Sequence, residues 1–385
     1  MSYVSGTATD VGDLLTKLDA FLTVGHSLDP FYTGVGTGTI NGLIGTAASV
    51  LETITITFSD AANFSVNGSV SGALGAGTVG SAYTSAVCAF TIVAGGIAWA
   101  AGDTITFIMT PKWTRKRFSI TVNDITQFCC WQAPSNDGNS SILVAAQRIS
   151  DPTGDYDNLR LNGYTIYNDA LNFWNQAGGM IANSPVLPLL RVGTIPYWFV
   201  ANGRRVVIVA KCSTVYTSAY LGLITPYLNP SVTAYPLLIG GSMSFNAEPV
   251  ATSVNWRWSY QGNEMGSFPK AGRVGGTNVA SYQARFRRND GIWQGFGAAG
   301  SLGTITPENS VGTDLRAGLD GSYPLLPIIF SENTPNVWGE LEGVGWVSGY
   351  ANTVENTLTQ NRIQWLVVQD VFRNTKTDFF ALKLA

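Results

Sequence analysis

Residues 197–211 (YWFVANGRRVVIVAK) constrain the fold of this chain more than any other stretch. Two apolar runs, 197–201 and 206–210, flank Asn202-Gly203. That dipeptide tolerates the positive φ angles of a two-residue type I′ turn, so the stretch reads as a β-hairpin. The second arm is almost continuously apolar, the pattern of a strand buried on both faces and not of a half-exposed one. Residues 212–224 (CSTVYTSAYLGLI) continue in small, β-branched and aromatic side chains, and the region is expected to centre a sheet core.

A chain of 385 residues exceeds what one compact core usually holds. Residues 1–32 read as the N-terminal helix of a host domain, 33–110 as an inserted small β-sandwich, and 111–385 as the main β-rich host domain. In the first segment Val11, Leu14, Leu15, Leu18, Phe21 and Leu22 fall on one helical stripe. Thr9 or Asp10 can cap that helix, Asp13 suits its dipole, and Gly25 is placed to end it. The face formed by Leu14, Leu15, Leu18, Phe21 and Leu22 has to dock on the sheet core or on a neighbouring subunit.

Between 33 and 110 charge nearly vanishes and Gly, Ala, Thr, Ser and Val alternate. Strands are expected at 50–58 (VLETITITF), 64–70, 83–93 and 103–109, with glycine-rich spacers such as 72–80 between them. In the host, strands are expected at 117–122, 128–131, 237–244, 283–288 and 291–296, with a further apolar run at 141–149, and 186–190 leads through Pro188 to the central hairpin. Residues 161–174 are mixed, and their second half fits a short helix with Tyr167, Leu171 and Trp174 three or four apart. Three strands at 323–330, 341–348 and 363–372 finish the chain, with an apolar tail at 378–384. Pro324 and Pro327 confine the first of these to an edge or a bulge. The fold class is therefore mainly β and multi-domain: an antiparallel-sheet or β-sandwich host with one N-terminal helix and an inserted small β-sandwich.

Composition narrows the functional classes. Charged residues make up 12% of the chain, against roughly 25% in ordinary soluble domains, so much of the surface is expected to meet other protein, the alternative being an extracellular β-protein with a neutral polar surface. A net charge of −3 argues against a nucleic-acid partner, and the basic run KWTRKR (112–117) fits a solvated strand end. No signal peptide is expected at the start, and the most apolar window, 86–101, is too short for a bilayer and reads as two core strands. Cys88, Cys129, Cys130 and Cys212 show no Cys-x-x-Cys spacing. The adjacent pair would point to opposite faces of a strand, and buried free thiols are expected, with a disulfide left open.

Few residues suggest chemistry. His26 is the one histidine, so metal sites and catalytic triads lack partners, and a surface or capping role is expected for it. The GVGTG of 34–38 lacks the lysine and the following helix of a phosphate loop. Glycoside cleavage needs only two carboxylates, and Asp151, Asp155, Asp157, Glu340 and Glu342 are the candidates. Glu340 and Glu342 alternate in GELEG, which puts them on one face of a strand, where they suit a catalytic pair, a Ca²⁺ site or plain solvated charge. Trp256, Trp258 and Trp293 are candidate glycan or partner contacts, against which core or subunit packing is the stronger reading.

The stretches 197–211, 318–330 (GLDGSYPLLPIIF), 336–349 (NVWGELEGVGWVSG) and 365–384 together resemble a family of virion structural proteins of tailed bacteriophages and prophages. The opening VSGTATDVGDLLTKLDAFL (4–22) is similar to that family's start, and residues 33–110 resemble the small β-modules that phage particles carry as decorations. The resemblance implies a tail, baseplate or neck component, located in the virion and assembled in the bacterial cytoplasm. Its partners would be copies of itself and other virion proteins, with no catalytic residues, cofactor, metal or membrane insertion. The rival expectations are a receptor- or glycan-binding tail-fibre module, which would contact host-surface glycan, and a capsid decoration protein.

Overall fold

The computed structural model describes residues 1–227 apart from 140, 154, 182 and 183, and then 237–244, 268–270, 284–287, 291–295, 302–305, 324–332, 337–371, 376 and 378–384. The architecture is mainly β, with one α-helix among the described residues and antiparallel pairing throughout.

The hairpin of strands Ile195–Asn202 and Arg205–Cys212 lies inside a seven-stranded sheet. Strand Ser2–Ala8 flanks it on one side, and Val215–Leu223, Leu237–Gly240, Ala284–Arg287 and Trp293–Gly295 follow on the other. The continuous apolar run has the consequence its pattern implies. Val206, Ile208 and Ala210 enter one core, while Val207 and Val209 enter a second core on the opposite face. Each buried valine or isoleucine is worth about 1.5–3 kcal/mol, so a single slip in register here would misplace both cores.

The turn differs from the expected one. Asn202 pairs with Arg205, so Gly203 and Arg204 form the loop, and neither has a positive φ. The Asn202 side chain tightens the turn instead: its Oδ1 accepts from the Arg204 amide at 2.9 Å and the Arg205 amide at 3.1 Å. The asparagine thus acts through its side chain rather than through left-handed backbone.

On the first face lies a six-stranded sheet ordered Thr114–Arg117, Cys129–Gln132, Leu143–Asp151, Tyr156–Tyr164, Pro185–Leu187 and Met243–Ser244. On the second lies a sheet built from Leu302–Ile305, Leu326–Glu332, Val337–Trp346, Phe379–Lys383, Ile363–Gln369 and Thr357–Gln360, with Thr225–Pro226 added beside Val337–Trp346. The stack is therefore three sheets deep. In strand Leu326–Glu332 the register shifts between Pro327 and Ile329, so the proline sits at a bulge.

The helix spans Val11–Leu22 and fills the edge of the first core with Val11, Leu14, Leu15, Leu18, Phe21 and Leu22. Its stripe docks on the sheet of its own chain. Asp10 caps it, accepting from the Asp13 amide at 2.9 Å, and Asp13 reaches back to the Thr9 amide at 2.8 Å. The helix ends at Thr23, whose hydroxyl and amide both bond the Asp19 carbonyl, and not at Gly25. Gly25 serves a junction: a Cβ there would lie 2.3 Å from the Ser49 Cβ.

Residues 26–110 form a smaller two-sheet sandwich. One sheet is ordered His26–Ser27, Thr104–Thr110, Glu52–Phe58, Asn63–Gly68 and Gly72–Thr78, with Phe31–Thr33 beside Thr104–Thr110. The other is ordered Thr39–Gly45, Cys88–Val93 and Ala82–Thr84. Their facing side chains make a core drawn wholly from residues between Ile40 and Met109. Strand Gly72–Thr78 lies where the sequence suggested a spacer, and strand Thr39–Gly45 lies where no strand was expected. Residues 118–122 are not a strand, and residues 167–174 are a chain of turns rather than a helix, held by Asn172 Oδ1 accepting from the Trp174 and Asn175 amides at 3.0 Å each.

Candidate functional site

The carboxylates that qualified as a hydrolytic pair each have a structural partner. Strand Val337–Trp346 carries both Glu340 and Glu342 to one groove of about 480 Å³, lined also by Asp29, Trp365 and Lys383. Glu340 accepts from the Tyr227 hydroxyl at 2.8 Å. Glu342 accepts from Arg204 Nε at 2.8 Å and Asn202 Nδ2 at 2.9 Å, and lies 3.6 Å from Nε of the buried Arg205. It therefore fastens the central hairpin turn to the sheet beneath it. Asp29 bonds Lys383 Nζ at 2.5 Å. The other candidates are apart from this groove: Asp151 accepts from the Thr153 amide, Asp155 pairs with Arg191, and Asp157 is buried on Arg148.

His26 is fully buried, which corrects the surface or capping role. It sits in strand His26–Ser27 under the helix, its ring 4.8 Å from Phe21 in an edge-on contact. Burial pushes its pKa from 6.5 down to about 3, so the ring is neutral at ordinary pH.

The GVGTG segment does turn its backbone amides inward, but onto the chain itself. The Asp103 carboxylate accepts from Val35 N at 3.1 Å, Gly36 N at 2.9 Å and Ala100 N at 3.0 Å. Those bonds, from Ala100 first, hold its pKa below the usual carboxylate range. Gly34 has φ +119°, and a Cβ there would lie 2.0 Å from Asp103 Oδ1, so glycine is required. The clasp was not legible from local pattern, because Val35 and Gly36 lie 68 and 67 residues from Asp103.

All four cysteines are buried free thiols. Cys129 points into the core against the central sheet, whereas Cys130 joins Phe128, Tyr164, Phe173 and Trp174 on the other face. Burial raises the thiols of Cys129, Cys130 and Cys212 to about 12 and that of Cys88 to about 11, which suppresses the thiolate that nucleophilic or metal chemistry needs. Among the described residues no cluster of three or more His, Cys, Asp or Glu side chains is placed to hold a metal ion.

Trp293 is half-buried against the first core, and its indole N–H donates to the Gly178 carbonyl at 2.8 Å. Trp256 and Trp258 lie outside the described residues. A buried polar site that the sequence did not suggest is Asp19, which takes Arg115 Nε at 2.8 Å and Trp131 Nε1 at 2.9 Å and ties the helix to the outer sheet.

The smaller sandwich carries exposed apolar side chains. Val35, Val93 and Ile97 are 61%, 39% and 56% exposed. Backbone bonds link the segments that carry them: Thr39 pairs with Val93, and the Thr37 amide donates to the Ile97 carbonyl at 3.0 Å. In comparisons with known proteins, the chain matches no family model and no curated protein.

Proposed function

We propose that this chain is a structural subunit of a tailed-bacteriophage particle, in the tail, baseplate or neck, and that it acts by packing against copies of itself and other virion proteins without an active site. The observation that carries the assembly reading is the exposed group Val35, Val93 and Ile97 on a chain with only 12% charged residues. Exposed apolar side chains carried on linked segments are candidates for an interaction surface. The Asp103 clasp fixes the backbone that presents it, so docking loses little conformational entropy. The phage assignment is supported by the segments that resemble virion proteins.

Sedimentation velocity tests the surface. The wild-type chain is expected to self-associate, and an Ile97→Asp/Val35→Asp variant to sediment as a smaller species with an unchanged melting temperature. A wild-type chain that stays monomeric at every concentration, or a variant that associates as well as the wild type, would overturn this surface as the assembly contact.

A further inference from the structure

A second cleft, lined by none of those apolar side chains, has a different chemistry. It encloses about 520 Å³ between residues 117–119 and 126–127 on one wall and 169–175 on the other. That is within the range of small-molecule sites, roughly 300–1,000 Å³. Arg117 lines it, and both of its Nη atoms are engaged. Nη1 donates to the Thr126 carbonyl at 2.9 Å and the Leu171 carbonyl at 3.3 Å, and Nη2 donates to both the carbonyl and Oδ1 of Asp169. The guanidinium also lies 4.5 Å over the Phe128 ring and 5.6 Å over the Tyr167 ring. The cation is a brace between the two walls: both Nη atoms are spent on them, and the charge is paired with the Asp169 carboxylate.

What faces the opening is neutral and polar. Asp169 spends Oδ1 on Arg117 and on the Tyr167 hydroxyl at 2.7 Å, while Oδ2 accepts nothing among the described residues on a side chain that is 86% exposed. Asn172 uses Oδ1 to hold the turn, which leaves its NH₂ group for a ligand. Asn175 is exposed and makes no side-chain bond among the described residues, and Gln127 makes only a 3.5 Å contact to Thr126 Oγ1. Half-buried Phe118 and Leu171 supply apolar wall.

We propose that this cleft binds a neutral saccharide. A sugar ring offers hydroxyls that donate to a carboxylate oxygen and accept from side-chain amides, and C–H faces that pack on apolar wall. One free carboxylate oxygen, several amide groups and a cation already paired with a carboxylate match that pattern. They do not match a phosphate or carboxylate ligand. The site is independent of the assembly surface, and either can stand without the other.

The test is saturation-transfer NMR on the full chain with methyl glycosides of glucose, galactose, mannose, rhamnose and N-acetylglucosamine, with inorganic phosphate as competitor. At least one glycoside is expected to receive saturation, phosphate is expected not to displace it, and a Gln127→Ala/Asn175→Ala variant is expected to weaken binding roughly tenfold, as loss of one or two hydrogen bonds does. Both substitutions are on loop side chains outside the core, and an unchanged near-UV spectrum shows that the variant is folded. If it is not, Ser119→Ala on the same wall replaces it, with weakened binding again expected. No transfer to any of the five sugars, displacement by phosphate, or binding that survives the substitutions would overturn the proposal.

Discussion

The buried histidine gives the protein an acid sensitivity that can be calculated. His26 lies at the meeting point of the helix, the first strand and the smaller sandwich, with burial lowering its pKa from 6.5 to about 3. A base whose folded pKa is depressed binds fewer protons when native than when unfolded, so stability falls as pH drops. The loss begins near 6.5 and is complete only near 3. Between pH 7 and pH 4 this residue alone costs about 3 kcal/mol, from 1.36 kcal/mol per pKa unit. For a chain of 385 residues melting cooperatively, that is roughly a 4 °C drop. The assay compares urea unfolding of the wild type and His26→Leu at pH 7 and at pH 4. Carboxylates that titrate in the same window do so in both proteins and cancel in the difference. The wild type should lose about 3 kcal/mol more than the variant over that interval. Parallel losses would refute the reasoning, because they would mean that the ring already has water or a counter-charge in the native state.

Two further outcomes follow from the packing. Asp19→Ala should destabilise by about 2–3 kcal/mol in urea unfolding at pH 7, since it leaves the Trp131 indole N–H buried without its acceptor. The four thiols should be inert to a disulfide reagent in the native protein, and all four should react in denaturant; rapid labelling of any one under native conditions would contradict its burial.

How far the sequence reveals this structure depends on whether a feature is local. The central hairpin was legible because an unbroken apolar arm has no half-exposed solution, and residues 205–212 do divide between two cores. The helix was legible from its stripe, and the divergence of Cys129 and Cys130 from strand alternation. Strand Gly72–Thr78 was not, because it is an exposed edge whose glycines leave no period to read. Residues 118–122 misled in the opposite sense: Ile120 and Val122 alternate like a strand yet stand 39% and 37% exposed on a loop. The buried His26 was missed because its shell comes from the helix and from a strand more than 80 residues away. The Arg117 cleft was missed for the same reason, since its two walls lie about fifty residues apart in sequence and no local pattern links them.

The alternating Glu340 and Glu342 show the limit of pattern reading at a site. Their shared groove follows from the strand, but the partners that occupy them, Tyr227, Arg204 and Asn202, come from other elements. Those bonds tie Glu340 to a segment at its own sheet and make Glu342 a fastening between two sheets.

The measurement that bears most directly on the proposed role is immunogold electron microscopy, with antibody to this protein, on particles from a lysate of its source. A virion subunit predicts gold at one discrete place on the tail, baseplate or neck. Particles free of gold, with the antigen confined to the soluble fraction, would contradict it.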